Sequence, residues 1–117
     1  MTQLLPLRES VQVTLNGSGA GTIKLGPQSH RETWRAPAIS VKTKTPVTVG
    51  TCQCNIYVGT DATDSNFRDG TFSGDTGDTS DAIADDIRLP NAIFVVWTGG
   101  TPNDTATAIV TGTKELQ

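Results

Sequence analysis

The feature that most constrains this chain is its short-range alternation. Apolar and polar residues change places one by one over short stretches, and a turn signal stops each stretch within about 8–15 residues. Val11, Val13 and Leu15 alternate with Gln12 and Thr14. Ile39, Val41 and Thr43 alternate with Ser40, Lys42 and Lys44. Cys52, Cys54, Ile56 and Val58 share one parity, and Gln53, Asn55 and Tyr57 the other. A period of two is the signature of a strand with one face buried, since successive side chains point to opposite sides. Ile83 and Ile87 have helical spacing, with Asp81 placed to cap a single turn, but Ile87 and Leu89 have strand spacing; no βαβ alternation or solenoid repeat occurs.

The stops fit the same reading. Asn16-Gly17-Ser18-Gly19, Gly26-Pro27, Gly59 and Thr98-Gly99-Gly100-Thr101-Pro102 all mark turns. Residues 10–26 are predicted to form a β-hairpin, with Ile23 and Leu25 on the inner face of the returning strand. Pro37 is expected to rule out a continuous central strand there. One short strand or hairpin is expected around residues 67–73, where Asp69-Gly70 is a good tight-turn dipeptide, and a short strand is expected near 85–89. Residues 92–97 are apolar on both faces, so this strand is predicted to lie in the middle of a sheet. Residues 105–114 alternate again, and the two are expected to form a C-terminal hairpin.

These elements predict one all-β domain: an antiparallel β-sandwich, Ig-like or jelly-roll-like, of seven to eight short strands over residues 10–117. Residues 1–9 stand apart as an extended N-terminal arm. Leu4, Leu5 and Leu7 belong to no helical period, and a free tail carrying three leucines is costly in water. The arm is therefore expected to dock on its own domain or on a neighbouring subunit. Leu4, Leu5 and Leu7 are the candidate partner-binding residues.

Composition narrows the function classes. The net charge is −3, only 18% of residues are charged, and threonine is the commonest residue. That balance argues against nucleic acid or a membrane surface as partner. Eight of the 12 acidic residues lie from Asp61 to Asp86, a segment that predicts a solvated acidic loop or one facing a basic patch on a partner. Its spacing lacks the calcium-loop pattern. The N-terminus lacks the basic start and apolar run of a signal peptide, and no stretch is long enough to span a bilayer as a helix.

Little here predicts catalysis. The one histidine, His30, has only a sequence neighbour, Ser29, as a hydroxyl partner, and no GxSxG motif is present. Cys52 and Cys54 fall on the inner face of their strand, where they act as small core residues. One CxC and one histidine make a poor zinc set. The expectation is a non-enzymatic protein without metal or organic cofactor.

Four stretches carry a family resemblance: Leu4-Leu5-Pro6-Leu7-Arg8-Glu9 with the strand after it, Lys24-Leu25-Gly26-Pro27, Asn66-Phe67-Arg68-Asp69-Gly70-Thr71-Phe72-Ser73-Gly74, and Val96-Trp97-Thr98-Gly99-Gly100. They resemble small virion-associated proteins of tailed phages that infect actinobacteria. The resemblance implies a β-sandwich bound in multiple copies to a capsid or tail, with other virion proteins as partners and the virion as location. It implies no catalytic residues. A capsid-surface decoration or head-associated role is the first expectation, with the arm laid across a neighbouring subunit. A minor tail or tail-tip protein is the second. A carbohydrate-binding module, with Trp34 or Trp97 as stacking platform and a calcium ion in the Asp loop, is the third.

Overall fold

The alternating stretches become nine strands in a computed structural model that describes residues 2–44, 52–72, 81–83 and 85–117. They are β1 (Gln3–Thr14), β2 (Gly21–Leu25), β3 (Glu32–Thr43), β4 (Gln53–Gly59), β5 (Phe67–Phe72), β6 (Asp81–Ala82), β7 (Ile87–Arg88), β8 (Ala92–Thr98) and β9 (Thr105–Leu116). One sheet runs β1-β9-β3-β6, with β7 also on β3, and the other runs β2-β8-β4-β5. All pairings are antiparallel. The chain changes sheet at almost every connection, and only β4 and β5 are sequence neighbours that pair. This is the double Greek key order of a jelly roll.

That order corrects two expected hairpins. β1 and β2 lie in different sheets, and so do β8 and β9. The Asn16–Gly19 turn exists, with the Asn16 side-chain oxygen accepting from Ser18 N–H at 2.8 Å and Ala20 N–H at 3.1 Å. It is a corner between sheets. A period of two says which face of a strand is buried but not which strand lies beside it. Of the strand and the hairpin expected around residues 67–73, the structure shows the single strand, β5, with Asp69 and Gly70 inside it. The expectation of β8 in mid-sheet holds, with β2 on one side and β4 on the other.

Pro37 does not break its strand either. β3 runs through it on a register shift between Arg35 and Ala38, where it carries one residue more than β9. A bulge is where a sheet tolerates proline. Ala36 takes φ 35° there, and its N–H donates to Asp86 Oδ1 at 2.8 Å. The bulge shifts parity by one, so Trp34 before it and Ile39 and Val41 after it all enter the core.

Residues 3–9 are not a separate arm. They are the first half of β1, paired with β9 in unbroken register from Gln3↔Leu116 to Thr14↔Thr105. β1, β3 and β9 each have 12 residues, whereas β2, β4, β5 and β8 have five to seven. The first sheet therefore projects past the second, giving a long axis of 48 Å.

Trp34, Trp97, Leu15, Ile87 and Ile93 are among the largest fully buried side chains. At one end of the sandwich the backbone seals the core. Gly100 N–H donates to the Gly19 carbonyl at 2.9 Å, and Leu15 N–H to the Asp104 carbonyl at 2.8 Å. Gly19 has φ 71°, and a Cβ there would fall on the Gly100 carbonyl.

Two stability outcomes follow from these backbone positions. Gly19→Ala combines left-handed strain with a backbone clash and destabilises by more than ~2 kcal/mol in denaturant unfolding. Ala36→Gly releases left-handed strain and, after the added freedom of the unfolded chain, stabilises by ~0.5–1 kcal/mol. A loss of stability in Ala36→Gly contradicts the bulge geometry.

Candidate docking face

The outer face of the β2-β8-β4-β5 sheet carries an aromatic row. The pairings Lys24↔Phe94, Phe94↔Tyr57 and Tyr57↔Phe67 put these four residues side by side across four strands. Lys24 Nζ sits 5.8 Å from the centre of the Phe94 ring, a cation–π contact. Tyr57 and Phe67 meet edge to face with centroids 5.7 Å apart. Phe67 also lies over Gly70, where a Cβ would stand 3.4 Å from its ring. Tyr57 is buried and Phe94 half-buried, but Phe67 is 45% exposed.

Polar groups flank the row along β4. Gln53 Nε2 donates to Asn55 Oδ1 at 3.4 Å, and Asn55 Nδ2 donates to Tyr57 Oη at 3.4 Å. Half-buried Val96 lies opposite Asn55. The face therefore offers one protruding ring, a half-covered apolar floor and side-chain amides beside them. An apolar surface with a polar rim is the anatomy of a protein-docking patch. A bulge between Ile56 and Tyr57 aims Phe67 outward. The bulge leaves no mark in the alternation, so Phe67 could not be placed on this face from the sequence.

The predicted partner-binding leucines divide. Leu7 is 3% exposed and part of the core cluster, Leu5 is half-buried, and only Leu4, at 66%, reaches solvent. Of the two docking modes open to residues 3–9, the structure shows the one on their own domain. They line the edge of the first sheet, where Pro6, Arg8 and Glu9 discourage further strand pairing. Trp34 and Trp97 are 2% and 0% exposed, so neither serves as a stacking platform.

The acidic segment is partly anchored. Asp85 pairs with Arg68 at 2.8 Å, and Asp86 with Arg35 at 3.4 Å. Asp75 and Asp78 lie outside the described residues, as does the side chain of Asp81. The expectations of a solvated loop and of a calcium ion fall largely on them. Among the described residues no group of three or more His, Cys, Asp or Glu could hold a metal ion.

His30 is exposed in the β2–β3 connection. Cys52 and Cys54 form no disulfide and are at 0% exposure. Burial pushes the Cys52 thiol up, and the Asp104 carboxylate adds to the shift. A thiol nucleophile needs the opposite shift.

On the outer face of the other sheet, Gln12, Lys42, Thr43, Lys44, Thr105 and Thr107 line a depression of about 480 Å³. Gln12, Thr107 and Lys42 stand in one row across β1, β9 and β3. No family model, curated protein or solved structure matches this chain.

The thiols supply the check on this account of the core. In the native protein both resist Ellman's reagent at mildly alkaline pH, and both react once guanidinium unfolds it. The folded thiol of Cys52 titrates above the unfolded one, near ~8.5. Its contribution to stability is present below that pH and is lost as pH rises through the folded value. Rapid native labelling contradicts the burial.

Proposed function

We propose that this chain is a non-enzymatic structural component that binds in multiple copies to the surface of a larger assembly. The sequence resemblance makes that assembly a phage virion, with the capsid surface as first site and the tail as second. The aromatic row with Phe67 protruding from it carries the reading. It is the part of the described surface where large apolar side chains and hydrogen-bonding amides share one face.

Two further observations support it. The sheet beneath the row is a rigid base, because each of its outward residues sits on a strand paired to its neighbours. Cys52 and Cys54, the strongest nucleophiles in the chain by type, are committed to packing. A jelly roll serves viral capsid and lectin domains alike, so the fold alone does not choose between them. The choice rests on the face and on the resemblance.

Mechanistically, a partner covers Phe67 and the floor of Phe94 and Val96. Burying one phenylalanine side chain fully contributes ~1.5–3 kcal/mol, which is weak for a single copy. Repeated engagement on a regular surface raises the effective affinity without new contacts.

Particles purified from cells carrying this gene are expected to contain the chain in many copies, and an antibody label places it on head or tail. Phe67→Asp is expected to lose incorporation, because it buries a charge in the docked state. Its melting temperature stays within a few degrees of the parent, since the ring is only partly covered. Absence of the chain from purified particles contradicts the reading. Normal incorporation of Phe67→Asp contradicts the choice of face.

A further inference from the structure

We propose that the depression on the outer face of the β1-β9-β3 sheet binds a small sugar that carries an anionic group. The depression and the Phe67 row lie on different sheets, so each can be occupied without the other. Strand β9 forms the floor, with Thr105 and Thr107 two residues apart on one face. Lys42 flanks Thr107 on β3, and Gln12 flanks it on β1. Lys44 flanks Thr105, its backbone N–H donating to the Thr105 carbonyl at 3.0 Å. Residues opposite one another on neighbouring strands share a face, so these five side chains stand on the same side of the sheet.

Thr107 singles this hollow out. It is 6% exposed, and among the described residues its hydroxyl has no hydrogen-bond partner. Buried hydroxyls are nearly always partnered, because an unpaired one forfeits the hydrogen bond it made with water. Thr107 lines the hollow, so its missing partner is one that arrives from outside. Gln12, Lys42 and Lys44 bring an amide and two ammonium groups that also have no partner among the described residues. Arg8, Lys24, Arg31, Arg88 and Lys114 lack an ion pair too. What sets Lys42 and Lys44 apart is the hollow they share with Thr107.

The lining selects the class of ligand. It has no aromatic or long aliphatic side chain, so nothing in it favours an apolar molecule. It has no carboxylate, and its two lysines, with Cα atoms about 7 Å apart, make a positive pole for an oxyanion. An ammonium group acts as a point charge and takes a carboxylate or a phosphate alike. The Gln12 amide and the two threonine hydroxyls each donate and accept, as the hydroxyls of a sugar ring do. At about 480 Å³ the hollow has the size of a small-molecule site and exceeds what a bare oxyanion fills.

Titration of the isotope-labelled full chain, followed by amide nitrogen–proton spectra at low salt, tests this. Glucose 6-phosphate and glucuronate are the probes. Saturable shifts are expected at the amides of Gln12, Lys42, Lys44, Thr105 and Thr107, with a dissociation constant at or below ~1 mM for at least one probe. Which of the two binds more tightly tells phosphate from carboxylate. Glucose alone and inorganic phosphate alone meet only part of the lining and bind at least ~10-fold more weakly. Thr107→Val keeps the shape of the side chain and weakens binding at least ~5-fold. It melts at or above the parent temperature, because it removes an unpaired hydroxyl. Lys42→Gln with Lys44→Gln weakens binding at least ~10-fold, whereas Arg31→Gln, before the other end of β3, leaves it unchanged. No saturable shift at these amides with either probe overturns the proposal. So does phosphate or glucose alone binding as tightly as the better probe, or a Thr107→Val chain that binds like the parent or melts clearly below it.

Discussion

Strand β9 holds the molecule together. It runs for 12 residues between β1 and β3, and its backbone pairs with both. Ala106, Ala108 and Val110 face inward with no exposed surface, and they are small enough for the opposite sheet to pack closely over them. Without β9 the sheet has no centre, and β1 is left as an unpaired strand carrying Leu4, Leu5 and Leu7. Residues 3–9 make the dependence plain. Removing them would take away half of an edge strand and the core side chain Leu7. They are part of the domain.

β9 also sets the shape of the surface. Its second half carries β1 and β3 past the end of the shorter sheet, so one sheet is long and the other compact. The compact sheet bears the aromatic row, and the long one bears the lysine depression. The aromatic row and the lysine depression therefore lie on opposite outer faces of the sandwich.

Much of this was legible in the sequence, and the boundary is physical. Burial of Leu15, Ile39, Val41, Cys54 and Ile56, and half-burial of Val11 and Val13, follow from alternation, because parity reports the face of a strand directly. The central place of β8 follows from a run apolar on both sides. Pairing partners were not legible. Asn16-Gly17 marks a turn, but the same turn can close a hairpin or cross between sheets, and here it crosses. Pro37 looked like a break because the rule concerns regular pairing, and a bulge escapes it. The candidate site was the least legible part. Leu4, Leu5 and Leu7 stood out as apolar residues without a period, yet two of the three are at least half-covered by their own domain. Phe67 sat inside an acidic, glycine-rich stretch and showed its role only once a bulge turned it beside Tyr57.

Native-state hydrogen exchange read residue by residue tests the central claim most directly, namely that residues 3–9 belong to a sheet built on β9. The account predicts the slowest exchange along β9, and protection within residues 3–9 at the alternate amides that face it. Exchange of residues 3–9 and 111–116 at the rate of an unstructured peptide, with the rest protected, would contradict it and restore a free arm.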